Sequence, residues 1–270
     1  MGPVTKAPLP HPAALWRRLA AEFLGSAFLA AIVIGSGIAA QRLSPSDTGL
    51  ELLENSAVTA AGLFAIILMF GPVSGAHFNP VVSFADAALG GISWRDAAAY
   101  LPAQIAGCIT GAVAANLMFA QAAVSISVKH RASGAHALSE VIATAGLILV
   151  IFALARSGRL ASAPAAVGAY IGAAYWFTAS TSFANPAIAV GRMFSNTFAG
   201  IAPSSVPVFI AAEIGGGIAG VAVIRLLYPA LTSAQAAGVV VPHDSADGQE
   251  PAGLAQADGD GGWSARARQD

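Results

Sequence analysis

SFANPAIAVGR, residues 182–192, breaks into one of the most apolar parts of the chain. It follows the run AAVGAYIGAAYWFTA (165–179) and puts Ser182, Asn185 and Pro186 where a membrane helix would be expected to continue. A second break of the same kind, SGAHFNPVVSF, occupies residues 74–84. Asn is a favoured N-cap, because its side-chain oxygen accepts backbone N–H bonds of the first helical turn. Pro is favoured at the next position, where its missing N–H costs nothing. Asn79-Pro80 and Asn185-Pro186 therefore each predict the start of a short helix, over 79–90 and 185–196, too short to cross a bilayer.

The surroundings fix the class. The chain has 270 residues, of which 56% are hydrophobic and 10% charged, with a net charge of −1. Soluble domains carry about 25% charged residues, so the composition predicts an integral membrane protein. The balanced charge argues against a nucleic-acid partner. Cys108 is the single cysteine, which leaves no disulfide framework or zinc set within one chain. No metal-spaced His/Cys set, nucleotide-binding glycine motif or nucleophile–base arrangement is present, so the expectation is a protein without cofactor, metal or catalytic residues.

Six candidate spans follow from apolar length: 15–40, 55–73, 97–120, 138–156, 163–181 and 206–228. The order repeats. AEFLGSAFL (21–29) pairs with SEVIATAGLIL (139–149), matching Glu22 to Glu140. QIAGCITGAV (104–113) pairs with EIGGGIAGVAV (213–223), and Asn79-Pro80 with Asn185-Pro186. Each half, about 15–120 and 138–228, holds an odd number of spans, so the second must enter the membrane from the opposite side. Inverted repeats place their site near the bilayer midplane, between the halves. The fold expected is all-α, six transmembrane helices plus two half-helices.

Basic residues set the orientation. Lys6, Arg17, Arg18, Arg95, Arg156, Arg159 and Arg225 fall on the side of the N-terminus, against Arg42, Lys129 and Arg131 on the other, which predicts cytoplasmic N- and C-termini. The N-terminal segment, 1–14, is Pro-rich and lacks a cleavable-signal pattern. The Gly/Ala/Asp/Gln/Ser-dominated tail, 229–270, is expected to be disordered.

Non-helical backbone survives at membrane depth only where it is buried in protein or lines a water-filled cavity. The segments before each Asn, 74–78 and 181–184, are therefore expected to be re-entrant and pore-lining, with His77 bordering the pore. In an inverted repeat the two half-helix N-termini meet, each with roughly half a positive charge. A neutral hydroxylated solute would meet Asn donors at the centre and backbone acceptors on either side, while a cation would meet two positive dipole ends.

These residues resemble the major intrinsic protein family, the aquaporins and aquaglyceroporins, over about 17–228. The resemblance rests on AEFLGS, SGAHFNPVVSF, AQIAG (103–107) and SFANPA. It implies a homotetramer with a pore in every subunit, in a bacterial plasma membrane. It also makes Glu22 and Glu140 structural acceptors for re-entrant N–H groups. The family's Asn-Pro-Ala appears as Asn185-Pro186-Ala187 but departs to Asn79-Pro80-Val81. The Arg that usually follows the second motif is replaced by Ile188, with Arg192 one turn further on. Position relative to the motifs assigns the rest of the constriction to Thr59, Ala173 and Ser182. That small, rather apolar ring points to solutes wider than water, such as glycerol or neutral metalloid acids. The segment YWFTASTSFANPA with an aliphatic residue after it resembles aquaporins of bacterial arsenic-resistance operons. The function expected is a passive channel for water, glycerol-like polyols and arsenite. A proton-coupled transporter or a closed-pore structural protein is also compatible with these motifs.

Overall fold

The structure is a computed structural model and describes residues 13–229. The flanking segments 1–14 and 229–270 lie outside the described residues except for their innermost positions.

Among the described residues there are eight α-helices. They are α1 (Leu15–Leu43), α2 (Thr48–Ser74), α3 (Pro80–Leu89), α4 (Trp94–Met118), α5 (Gly134–Arg156), α6 (Ala163–Phe177), α7 (Pro186–Gly191) and α8 (Val206–Leu227). Among the described residues α1, α2, α4, α5 and α8 are long and apolar enough to cross a bilayer. The sixth, α6, stops earlier than the expected 181. Thr178 turns extended there, and its hydroxyl donates to the Ala174 carbonyl at 2.6 Å. Fifteen residues span about 22 Å. A 3-10 turn at Leu160–Ser162 leads into it.

The repeat is visible in the packing. The first helix of each half lies along the last of the same half, α1 on α4 and α5 on α8, and α2 crosses to α6 of the other half. Both half-helices touch both α4 and α8. Close approach requires small residues: a Cβ on Gly111 would sit 2.1 Å from the Ala27 carbonyl oxygen, so α1 and α4 meet backbone to backbone. Large apolar side chains such as Phe28, Leu68, Leu138, Ile218 and Leu226 are left exposed on the outer surface, as a lipid-facing band requires.

The half-helices enter from opposite faces. The chain leaving α3 turns at Gly90 and starts α4, so α3 ends beside the N-terminal end of α4. After α7, a 3-10 turn at Arg192–Phe194 ends beside the C-terminal end of α4, where Asn116 Nδ2 donates to the Phe194 carbonyl at 2.9 Å and Ser195 Oγ donates to Asn116 Oδ1 at 2.7 Å. With their C-termini at the two ends of one long helix, α3 and α7 bring their N-termini together in the middle.

Candidate functional site

Each half-helix is capped by its own Asn. Asn79 Oδ1 accepts from Val81 N at 3.0 Å; Asn185 Oδ1 accepts from Ala187 N at 3.0 Å and Ile188 N at 3.3 Å. Such a cap is worth about 1 kcal/mol. It also fixes each side-chain amide group. Asn79 Nδ2 donates to the Ala184 carbonyl, and Asn185 Nδ2 to the Phe78 carbonyl, both at 2.7 Å. One amide hydrogen of each Asn is thus spent on the opposite loop. One hydrogen of each remains for a ligand.

The loops before the caps are held by buried carboxylates. Glu22 accepts from Ser74 Oγ (2.6 Å), His77 N (3.0 Å), Phe78 N (2.7 Å) and Gln104 Nε2 (2.8 Å). Glu140 accepts from Phe183 N (3.0 Å) and Ala184 N (2.7 Å), and Glu213 from Asn185 N (3.0 Å). These donors are turned inward because Ala76, Phe78, Thr181, Ser182 and Ala184 all adopt positive φ. That left-handed backbone costs about 1–3 kcal/mol at each such residue, and it persists because the carboxylates take up the N–H groups. Among the described residues, the carbonyls of Gly75, Ala76, His77, Ser182 and Phe183 accept no hydrogen bond, and all five residues line one cavity.

The cavity, about 370 Å³, contains Asn79, Asn185, Ile188 and Arg192 in its wall. It runs from Ala163 and Pro164, at the start of α6, to Tyr175 near its end, about 18 Å along the helix. Much of its remaining wall is aliphatic: Leu29 and Val33 from α1, Leu63 from α2, Leu147 from α5, Val167 and Ile171 from α6. It therefore offers one apolar side and one line of carbonyls and amides.

Of the expected constriction residues, Thr59, Ser182 and Ile188 line this cavity. Ala173 does not; it is exposed on the outer surface of α6. The helix turns about 100° per residue, so the face carrying Pro164, Val167 and Ile171 continues to Tyr175 and leaves Ala173 outside. Tyr175 takes its place, with its hydroxyl 3.2 Å from Thr59 Oγ1. The spacing of those residues along α6 was the available signal. Pro80, Pro186, Val81 and Ala187 are buried at the first turns of the half-helices. Val81 fits because Gly217 of α8 faces it: a Cβ there would lie 2.3 Å from Val81 Cγ1.

His77 lines the cavity. Its Nδ1 is 3.0 Å from Ser83 Oγ and its Nε2 is 3.4 Å from Asp86 Oδ2 on α3. Asp86 was not singled out from the sequence, although it is the one acidic residue of the first half-helix. Among the described residues no group of His, Cys, Asp or Glu could hold a metal.

Paired half-helices capped by asparagines, with backbone carbonyls lining a membrane-depth cavity, define a channel-type fold. The family model for the major intrinsic proteins matches residues 11–183, and this chain belongs to that family. Aquaglyceroporin AqpS of Rhizobium meliloti (strain 1021) is 49% identical over 217 residues, covering 80% of this chain and 92% of that protein. Lens fiber major intrinsic protein of Rattus norvegicus is 29% identical over 243 residues, covering 82% and 85%. In fold, the chain is similar to the X-ray structure of the aquaglyceroporin from Plasmodium falciparum, with a TM-score of 0.63 at 20% identity, over 81% of this chain and 99% of that one.

Proposed function

We propose that this protein is a passive channel for small uncharged solutes, conducting water and glycerol-like polyols, with arsenous acid as a further cargo, and that it is not an enzyme. The observation that carries this reading is the reciprocal Asn79–Asn185 arrangement inside the cavity. Each Asn keeps one amide hydrogen for a solute oxygen, and the carbonyls on either side accept solute hydroxyls. The absence of Arg at 188 and the Thr59, Tyr175, Ser182 and Ile188 wall favour solutes larger than water. The printed name of the Rhizobium meliloti relative, an aquaglyceroporin, agrees. Arsenous acid is a neutral trihydroxy species at pH 7 and presents the same donors and acceptors as glycerol.

Bonding of Glu22 and Glu140 to loop N–H groups supports a structural role for both over a proton relay. The assembly proposed is a homotetramer with a pore in each subunit, lying in a bacterial plasma membrane with cytoplasmic termini. Purified protein in liposomes should raise the permeability of water, glycerol and arsenous acid together above that of protein-free vesicles. Permeabilities equal to the protein-free control for all three would overturn the channel; loss of arsenous acid alone would remove only that cargo.

A further inference from the structure

Arg192 is among the largest fully buried side chains of the described residues, at 2% exposure, yet it lies in the cavity wall. Its Nε donates to the Ala199 carbonyl, and its guanidinium carbon stands 3.4 Å over the centre of the Phe183 ring. Among the described residues its two terminal nitrogens make no hydrogen bond, and they are not among the buried side-chain atoms left without a partner, so they open on the cavity that Arg192 lines. A guanidinium serving only as a strut would spend those donors on protein, because buried donors left unpaired are costly.

The position of Arg192 explains how it reaches the cavity. Side chains on a helix lean back toward its N-terminus, onto the residue three or four positions earlier. Arg192 opens the 3-10 turn that follows α7, four residues after Ile188, so its long side chain returns toward the level of Ile188. The contact with Phe183, itself a cavity-wall residue, holds the guanidinium at the wall.

Glu140 and Glu213 act on the Arg192 charge from a distance, but no carboxylate pairs with it directly. Three successive carbonyls after α7 gather the local cations: Phe198 O accepts from Lys129 Nζ and Arg131 Nη2, both at 3.1 Å, Ala199 O from Arg192, and Gly200 O from Arg131 Nε at 2.9 Å. Arg131 also lies over Phe183, at 5.4 Å. The ion pairs among the described residues, Arg18–Asp96 and His77–Asp86, involve none of the three.

We propose that Arg192 is a specificity-determining residue of the conduit: from one turn beyond Ile188 its guanidinium supplies the wall-mounted donor that hydroxylated solutes bind and the fixed positive charge that rejects cations. The inference rests on the channel reading above. It also explains how a pore with Ile at 188 stays closed to ions while its ring stays wide.

The test uses full-length protein in liposomes, wild type beside Arg192→Gln and Arg192→Lys, with glycerol and water permeabilities from stopped-flow light scattering and K⁺ leak from an entrapped dye. Wild type is expected to pass both solutes with K⁺ leak at the protein-free level. Arg192→Gln should raise K⁺ leak about tenfold, since the fixed charge is gone, and change the glycerol-to-water ratio at least about twofold. Arg192→Lys should keep K⁺ out but shift the ratio, because a point charge replaces the planar fork. A K⁺ leak through wild type, or wild-type ratio and leak in a conducting Arg192→Gln, would overturn the inference and leave the channel standing. If Arg192→Gln does not assemble, an unchanged ratio in Arg192→Lys overturns it instead. Absence of solute flux through wild type would sink the channel reading itself.

Discussion

Asn79 and Asn185 are tied to each other's loops by exchanged bonds of equal length: each side-chain amide donates at 2.7 Å to the carbonyl that precedes the other Asn. The two half-helices thus form one unit, although they sit in different halves of the sequence and enter from opposite faces. Every predicted effect below comes from what surrounds that unit.

Ile188 lines the same cavity as Thr59 and Tyr175. Replacing it with Arg adds a long charged side chain to the ring at a point where the guanidinium of Arg192 already contributes. We predict that Ile188→Arg lowers glycerol permeability by about tenfold relative to water, measured by stopped-flow swelling of proteoliposomes. An unchanged ratio would remove Ile188 from the constriction.

The carboxylates should respond unequally. Glu22→Gln or Glu140→Gln turns an amide toward backbone N–H donors, and each should cost on the order of 2 kcal/mol or more. Glu213 differs: its Oε1 accepts from Asn185 N, while its Oε2 accepts from no donor among the described residues and the Glu140 carboxylate is a neighbour. The matching position in the first half is Gln104, which donates to Glu22 at 2.8 Å. Glu213→Gln should therefore leave thermal stability in detergent unchanged or higher, while Glu140→Gln lowers it. Equal losses at Glu213 and Glu140 would contradict the repeat-based assignment.

Val81 and Gly217 form a complementary pair across α3 and α8. Gly217→Ala alone should destabilise by about 1–3 kcal/mol through overpacking. Adding Val81→Ala should recover about 1 kcal/mol of that, a coupling that thermal unfolding of the single and double variants would measure. Strict additivity would show that the two side chains do not share this space.

Lys129, in the loop before α5, is held from the usual 10.5 down to about 8, first by burial and then by the charges of Arg131 and Arg192, with Glu51 acting in the opposite sense. Between those two values the unfolded chain keeps a proton that the folded chain has released, so this group adds stability as pH rises through the window. The sequence contains two lysines, and competitive acetylation read by peptide mass spectrometry separates Lys129 from Lys6. Half-maximal reactivity of Lys129 is expected near pH 8; a midpoint near 10.5 would show that the loop leaves it solvated.

Much of the fold could be read from residues whose physical roles are local. Asn-Pro states a helix start in any context, and paired occurrences in an apolar chain leave few ways to satisfy the backbone between them. Glu22 and Glu140 stood out as matched carboxylates inside two spans, but their role as acceptors for the loops came from the family resemblance. Three features of the site were not legible. Assigning Ala173 depended on the rotation of α6, and an offset of two residues moved the position from the cavity to the outer surface. Arg192 appeared merely displaced, because residue spacing does not show that a long side chain leans back over the preceding turn. The Asp86 contact to His77 likewise arises from the meeting of a loop with a helix face, which no short window contains.

The most direct test of the account is the concentration dependence of glycerol entry into liposomes containing the purified protein, measured with and without a pH gradient. An open conduit lined by Asn79 and Asn185 predicts flux that rises linearly with the glycerol gradient and ignores the proton gradient. Entry that saturates with glycerol and follows the proton gradient would contradict it.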